Sequence, residues 1–131
     1  MPTPADGEVL VRVAYAGVNF IDIYMRNGTY ARSHTYKTPL PMVIGMEASG
    51  TVEVVGSGVA GLKVGQRVAF CLSRGSYAEY VAVPAWKLVP LPDDISFELG
   101  AAAMLLGCTA HYLSHSALPL QRGQSCLVHP G

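Results

Sequence analysis

Thr51-Val52-Glu53-Val54-Val55-Gly56-Ser57-Gly58 reads as a β-strand running into a glycine turn, and it decides the fold. The same pattern recurs on both sides. Val9, Val11, Val13 and Tyr15 alternate with Leu10, Arg12 and Ala14, predicting a strand buried largely on both faces. Downstream, Arg67 to Leu72 predicts another strand. In Ser76 to Val83, Tyr77, Glu79 and Val81 alternate with Ala78, Tyr80 and Ala82. Short strands separated by such turns predict a mainly β fold, a small partly open barrel rather than a parallel sheet.

Helical signals are short. After Asn19 the period changes, and Phe20, Ile23 and Tyr24 fall at i, i+3, i+4. Asp22 and Arg26 stand at i, i+4, the spacing of an ion pair, and Gly28 is a natural stop. This helix puts Asn19 at its entrance and Tyr24 on its apolar side. Residues 31 to 41 show no periodicity and contain two X-Pro bonds, predicting a surface loop that is either a connector or functional. Ser96 is a candidate N-cap with Glu98 in the first turn, opening a helix through Ala101, Ala102 and Ala103. A second helical stretch runs from about Thr109 to Leu118, before Pro119. Gln124 to Gly131 reads as a buried strand meeting a glycine turn.

Composition excludes several classes of function. The chain has 131 residues, 50% hydrophobic and 14% charged, which suits one filled core rather than a disordered tail. Nine basic and nine acidic residues cancel, leaving no basic stripe for nucleic acid. No apolar run reaches the ~18 residues that a membrane helix requires. Met1-Pro2-Thr3-Pro4-Ala5-Asp6 lacks the basic and apolar regions of a signal peptide, so the cytoplasm is the expected compartment. Cys71, Cys108 and Cys126 form no CxxC pair, and each lies in an apolar run, predicting buried free thiols. His111 and His115 share a helix face without the glutamate of an HExxH motif, which reads as a packed or surface pair. His34 is expected to face solvent on its loop, and His129 to end a strand.

Gly17-Val18-Asn19-Phe20-Ile21-Asp22-Ile23-Tyr24-Met25-Arg26-Asn27-Gly28-Thr29-Tyr30 and Gly45-Met46-Glu47-Ala48-Ser49-Gly50 resemble segments of the zinc-free, zeta-crystallin-like quinone oxidoreductases. These belong to the medium-chain dehydrogenase/reductase superfamily. The likeness continues through Val54 to Gly58, Gly75 to Val83, Lys87 to Pro92 and Ala101 to Tyr112. Gln66 departs from it, standing where an Asp is usual, and the loop around Ser73-Arg74 is short.

The resemblance implies a GroES-like, partly open barrel over residues 1–95, with its first strands missing. Residues 96–131 would be connecting helices and the first strand of a truncated NADPH-binding Rossmann domain. No GxGxxG or GxxGxG occurs in residues 1–131, so the chain is expected to be a fragment, inactive alone. Zinc relatives carry a ligand Cys where Asn19 stands and a ligand His where Met46 stands; their third ligand aligns near Leu105. An amide, a thioether and an aliphatic chain anchor zinc poorly, so no metal is expected, with Cys108 the nearest thiol. Asp22 and Glu47 match carboxylates beside that zinc and are expected here in structural pairs.

The implied site consists of Asn19, Tyr24 and Tyr30 as catalytic groups, with Asn19, Tyr24 and Thr109 also contacting the cofactor. Each has an alternative: Asn19 and Thr109 as helix caps, and the tyrosines as core packing. The implied activity is hydride transfer from NADPH to a quinone or α,β-unsaturated carbonyl, in a protein that dimerises with itself when whole. The alternatives are an enoyl-thioester reductase and a non-catalytic β module.

Overall fold

A computed structural model describes residues 1–37 and 40–128. Five strands form one antiparallel sheet: β1 (Glu8–Ala16), β2 (Glu47–Val55), β3 (Arg67–Cys71), β4 (Tyr80–Pro84) and β5 (Val89–Pro90). Their order is β4-β1-β2-β3-β5, so the sheet does not close on itself and β4 and β5 are its edges. Val9 faces Val55 and Val11 faces Val52, with irregularities after Leu10 and Val13 that bend the ladder.

One face supplies the core. Val9, Val11, Ala48, Val52, Val68, Phe70, Val81, Val83 and Leu88 pack together, each nearly or fully buried. Each such valine contributes roughly 1.5–3 kcal/mol of hydrophobic stabilisation. The expected two-sided burial of β1 holds only for Val9, Leu10 and Val11; Arg12 and Tyr15 are exposed.

Helix α1 (Phe20–Arg26) follows β1, and α2 (Phe97–Ala102) packs on β1, β2 and β3. Ser96 caps α2 as its sequence predicts, its hydroxyl accepting from the Leu99 amide at 3.2 Å. Arg67 of β3 fixes the approach to that helix. Its guanidinium donates to the carbonyls of Pro92 at 2.8 Å and Asp93 at 3.0 Å, and lies 4.6 Å from the Phe97 ring centroid. Beyond α2 the helical path continues through a widened π-type turn (Ala103–Gly107), α3 (Cys108–Tyr112) and a second widened turn (Leu113–Ala117). Gln66 closes the turn before β3 by accepting from the Lys63 amide at 3.1 Å.

Two sequence expectations need correction. The strand expected from Ser76 starts at Tyr80, because the chain before it bends across residues 44 and 45. The amides of Gly75 and Ser76 both donate to Gly45 O, and that of Tyr77 to Ile44 O. The strand expected from Gln124 does not form over residues 124–128, which are exposed and pair with no strand among the described residues. The rest of that stretch, His129 included, lies outside the described residues. No helix among the described residues is long and apolar enough to cross a membrane.

Candidate active site

The site begins where β1 gives way to α1. Asn19 is extended (φ −133°, ψ 152°) and 6% exposed. It stands with Asp22 in a capping-box arrangement, and the half with good hydrogen-bond geometry runs from the Asn19 amide to Asp22 Oδ2 at 3.0 Å. The Asn19 side chain turns inward and donates from Nδ2 to Glu47 Oε1 at 2.8 Å, while Oδ1 is buried without a partner among the described residues.

Glu47 is 1% exposed, and its two oxygens have different tasks. Oε1 holds Asn19; Oε2 accepts from the Leu105 amide at 2.6 Å. One carboxylate of β2 thus joins the entrance of α1 to the widened turn after α2. Gly17 lets it pass, since a Cβ there would overlap the Glu47 side chain.

Asp22 is 3% exposed and makes no ion pair with Arg26, correcting the i, i+4 expectation. Its partner comes from 55 residues away: the Tyr77 hydroxyl donates to Asp22 Oδ2 at 2.8 Å, with Gly17 O at 3.3 Å as a second acceptor. Burial, then the bond to Asp22, pushes the Tyr77 phenol up to about 12. The structural pairing expected for both carboxylates is present, with partners that no local spacing reveals.

The tyrosines form a chain of rings. Tyr24 meets Tyr30 edge-on at 5.6 Å, and Tyr30 stacks on Tyr36 at 5.0 Å. Phe20 lies 6.2 Å from Tyr24. Tyr36, absent from the sequence-based site, belongs to a loop built from short turns. Ser33 Oγ accepts from the Thr35 and Tyr36 amides at 3.2 and 3.0 Å. A serine two and three residues before those amides is a local turn signal in the sequence.

Tyr36 borders two clefts that share part of their lining. One, about 370 Å³, is lined by Ile21, Tyr36, Cys71, Leu105, Cys108 and Thr109 among others. The other, about 450 Å³, includes Tyr36, Met46, Cys71, Arg74, Trp86 and Lys87. Asn19 and Tyr30 border separate smaller cavities of about 110 and 120 Å³. The structure therefore brings Tyr24 and Tyr30 together, puts exposed Thr109 in the 370 Å³ cleft, and engages Asn19 with Glu47 rather than with either of these two clefts.

Met46, 2% exposed, lines the 450 Å³ cleft. Among the described residues no three His, Cys, Asp or Glu side chains cluster as a metal site. The exposed His111 of α3 and His115 of the second widened turn stack their rings at 4.3 Å, as the i, i+4 spacing predicts. The buried-thiol expectation fails for two cysteines: Cys108 and Cys126 are exposed, and Cys71 is half-buried. Burial raises the Cys71 thiol, with smaller contributions from Cys108 and Glu47 opposed by Lys87.

The site therefore sits on an open antiparallel sheet, with the Asn19 amide at a helix entrance held by the Glu47 carboxylate. Residues 5–93 match the alcohol dehydrogenase GroES-like domain, and the chain belongs to that family. It is 43% identical over 127 residues to a quinone oxidoreductase of Pseudomonas aeruginosa, covering 96% of this chain and 38% of that protein. The Escherichia coli quinone oxidoreductase solved in complex with NADPH superposes with a TM-score of 0.83 at 38% identity, covering 92% of this chain and 36% of that one. The CurK enoyl reductase superposes with a TM-score of 0.76 at 28% identity, over 88% of this chain and 36% of that one. The chain spans little more than a third of the length of the relatives it matches.

Proposed function

We propose that the whole protein transfers hydride from NADPH to a quinone or α,β-unsaturated carbonyl without a metal, acting in the cytoplasm as a homodimer. Residues 1–95 would form its catalytic domain, and residues 96–131 would lead into its nucleotide domain. The observation that carries this reading is the Glu47 link. A buried carboxylate holds the Asn19 amide on one side and the Leu105 amide on the other. Both its oxygens serve neutral donors of the protein, and the two neighbouring positions Asn19 and Met46 offer an amide and a thioether.

The residues present fit the nicotinamide end of the cofactor. Thr109 presents an exposed hydroxyl in a cleft whose other walls include Ile21, Leu105 and the Tyr36 ring. When bound there, NADPH would supply the hydride. The chain's own groups would orient and polarise the acceptor. Tyr24, 38% exposed at the end of the tyrosine chain, has a phenol available to donate to an acceptor oxygen. Tyr30 would hold the Tyr24 ring edge-on and wall the approach. Asn19, held by Glu47, would fix the α1 entrance and offer its second N–H.

Similarity to the quinone oxidoreductases supports the quinone acceptor, and the likeness to an enoyl reductase supports a second reading, reduction of an enoyl thioester. Rates of the full-length protein on 9,10-phenanthrenequinone and crotonyl-CoA separate them. Faster turnover of the quinone is expected; preference for the thioester would overturn the quinone assignment. Reduction of neither would make the chain part of a non-catalytic module.

A further inference from the structure

We propose that the cleft between Arg74, Trp86 and Lys87 is an anion subsite, taking a carboxylate or phosphate group carried on an apolar body. Two cations line this cleft of about 450 Å³, and no carboxylate does. Arg74 donates through Nη2 to Thr35 O at 3.2 Å, which fixes the guanidinium at the rim. Its Nε is buried and has no partner among the described residues. A buried guanidinium N–H left unpaired is costly, and an anionic oxygen is the partner that removes the cost.

Lys87 also lines the cleft, its ammonium donating to Leu72 O and lying 5.2 Å from the Trp86 ring centroid. Neither cation forms an ion pair among the described residues. The buried carboxylate nearest in sequence to this wall, Glu47, has both oxygens committed to Asn19 and Leu105. Its charge is felt at Cys71 in the cleft wall, but it forms no ion pair with Arg74 or Lys87 and does not line the cleft, where the two cations are the charged groups. Met46 and the Trp86 ring, 81% exposed, offer apolar surface for the body that carries the anion.

Tyr36, Cys71 and Leu72 line this cleft and also the one containing Thr109, so the two adjoin. An occupant anchored by its charge beside Trp86 would reach toward Thr109 with its other end. This assignment rests on the hydride-transfer reading in treating the occupant as the acceptor, whereas binding itself is measured without turnover.

Trp86 is the sole tryptophan of the chain, so its fluorescence reports the site directly. The probes are cyclohexanecarboxylate, its neutral carboxamide and inorganic phosphate, all transparent at the wavelengths used. A saturable change in emission with cyclohexanecarboxylate or with phosphate, and none with the carboxamide, is expected; whichever anion binds more tightly identifies the group. Arg74→Gln and Lys87→Gln should each weaken that binding about tenfold, and added salt should weaken it further. Equal responses to the acid and the amide, no response to either anion, or unchanged affinity in both variants would overturn the subsite. Those results leave the hydride-transfer reading standing, since that reading fails only if the full-length protein reduces neither acceptor.

Discussion

Replacing Asn19 by Asp tests the Glu47 link with a change of one atom. In the native protein, Asn19 Nδ2 donates to Glu47 Oε1 at 2.8 Å, and both residues are buried. The variant puts an oxygen in place of that donor and sets two carboxylates against each other. With charge centres ~4 Å apart and an effective dielectric near 20, their repulsion is about 4 kcal/mol. One proton relieves it, because the introduced side chain, once protonated, donates to Glu47 as the amide did. The shared proton therefore binds more tightly in the folded state, with an apparent pKa raised from the ordinary carboxyl value near 4 to roughly 7. A carboxyl raised on folding stabilises at low pH and loses that contribution as pH rises through the folded value. Asn19→Asp should thus unfold close to native near pH 4 and lose about 4 kcal/mol above pH ~7, a large share of a typical 5–15 kcal/mol. Asn19→Ala, which removes the donor without adding charge, should cost about 1–3 kcal/mol with little change between pH 5 and 7.5. Urea unfolding followed by far-ultraviolet circular dichroism at those two pH values measures both. The same loss for Asn19→Asp at pH 5 and 7.5 would refute the contact and the reasoning built on it.

Tyr77→Phe should destabilise by about 1–2 kcal/mol through loss of the bond to Asp22, measured by the same urea titration. It should also remove the tyrosine that titrates at about 12 in the phenolate absorbance. Because that phenol is raised on folding, its contribution is complete below pH 10 and is lost between 10 and about 12. Cys108 and Cys126 should react quickly with a disulfide reagent at pH 8 and Cys71 slowly, as one is half-buried with a raised thiol and two are exposed; three equal rates would contradict the placement. Gly45→Ala should cost roughly 2–4 kcal/mol in thermal or urea unfolding. Its φ is +98°, and a Cβ would meet Ser76 and Tyr77. In the full-length protein, Tyr24→Phe should lower kcat/KM by on the order of 1–3 kcal/mol while leaving stability nearly unchanged; an undiminished rate would remove Tyr24 from the mechanism.

The strands of the core were legible because their information is local. Alternating valines running into glycine mark β1 and the second half of β2, and the short apolar run after Arg67 marks β3; the first half of β2, Glu47 to Gly50, carries no such pattern. The Ser96 cap is local in the same sense, needing only an amide three residues on. What escaped the sequence were bonds across long separations. Asp22 has a cation four residues away, yet it pairs with Tyr77, whose hydroxyl reaches it because residues 75–77 bend over Gly45 and Ile44. That same bend consumes the first residues of the expected fourth strand. Glu47 read as the match of a carboxylate beside the zinc of related enzymes, but nothing in its neighbourhood announces Leu105, 58 residues on. Tyr36 was hidden in a loop without periodicity, where its ring contact with Tyr30 depends on how that loop folds. Exposure of Cys108 escaped because the apolar residues around it suggested a core position. They belong to a helical path whose outer surface, from Leu106 to Leu113, is largely uncovered among the described residues.

In the proposed mechanism an amide held by Glu47, together with phenols, does the work of this pocket without a Lewis-acidic ion. The most direct test is kcat/KM of the full-length protein for NADPH-driven quinone reduction, before and after exhaustive chelation and then with zinc restored. An unchanged value throughout is predicted; activity lost on chelation and recovered with zinc would contradict it.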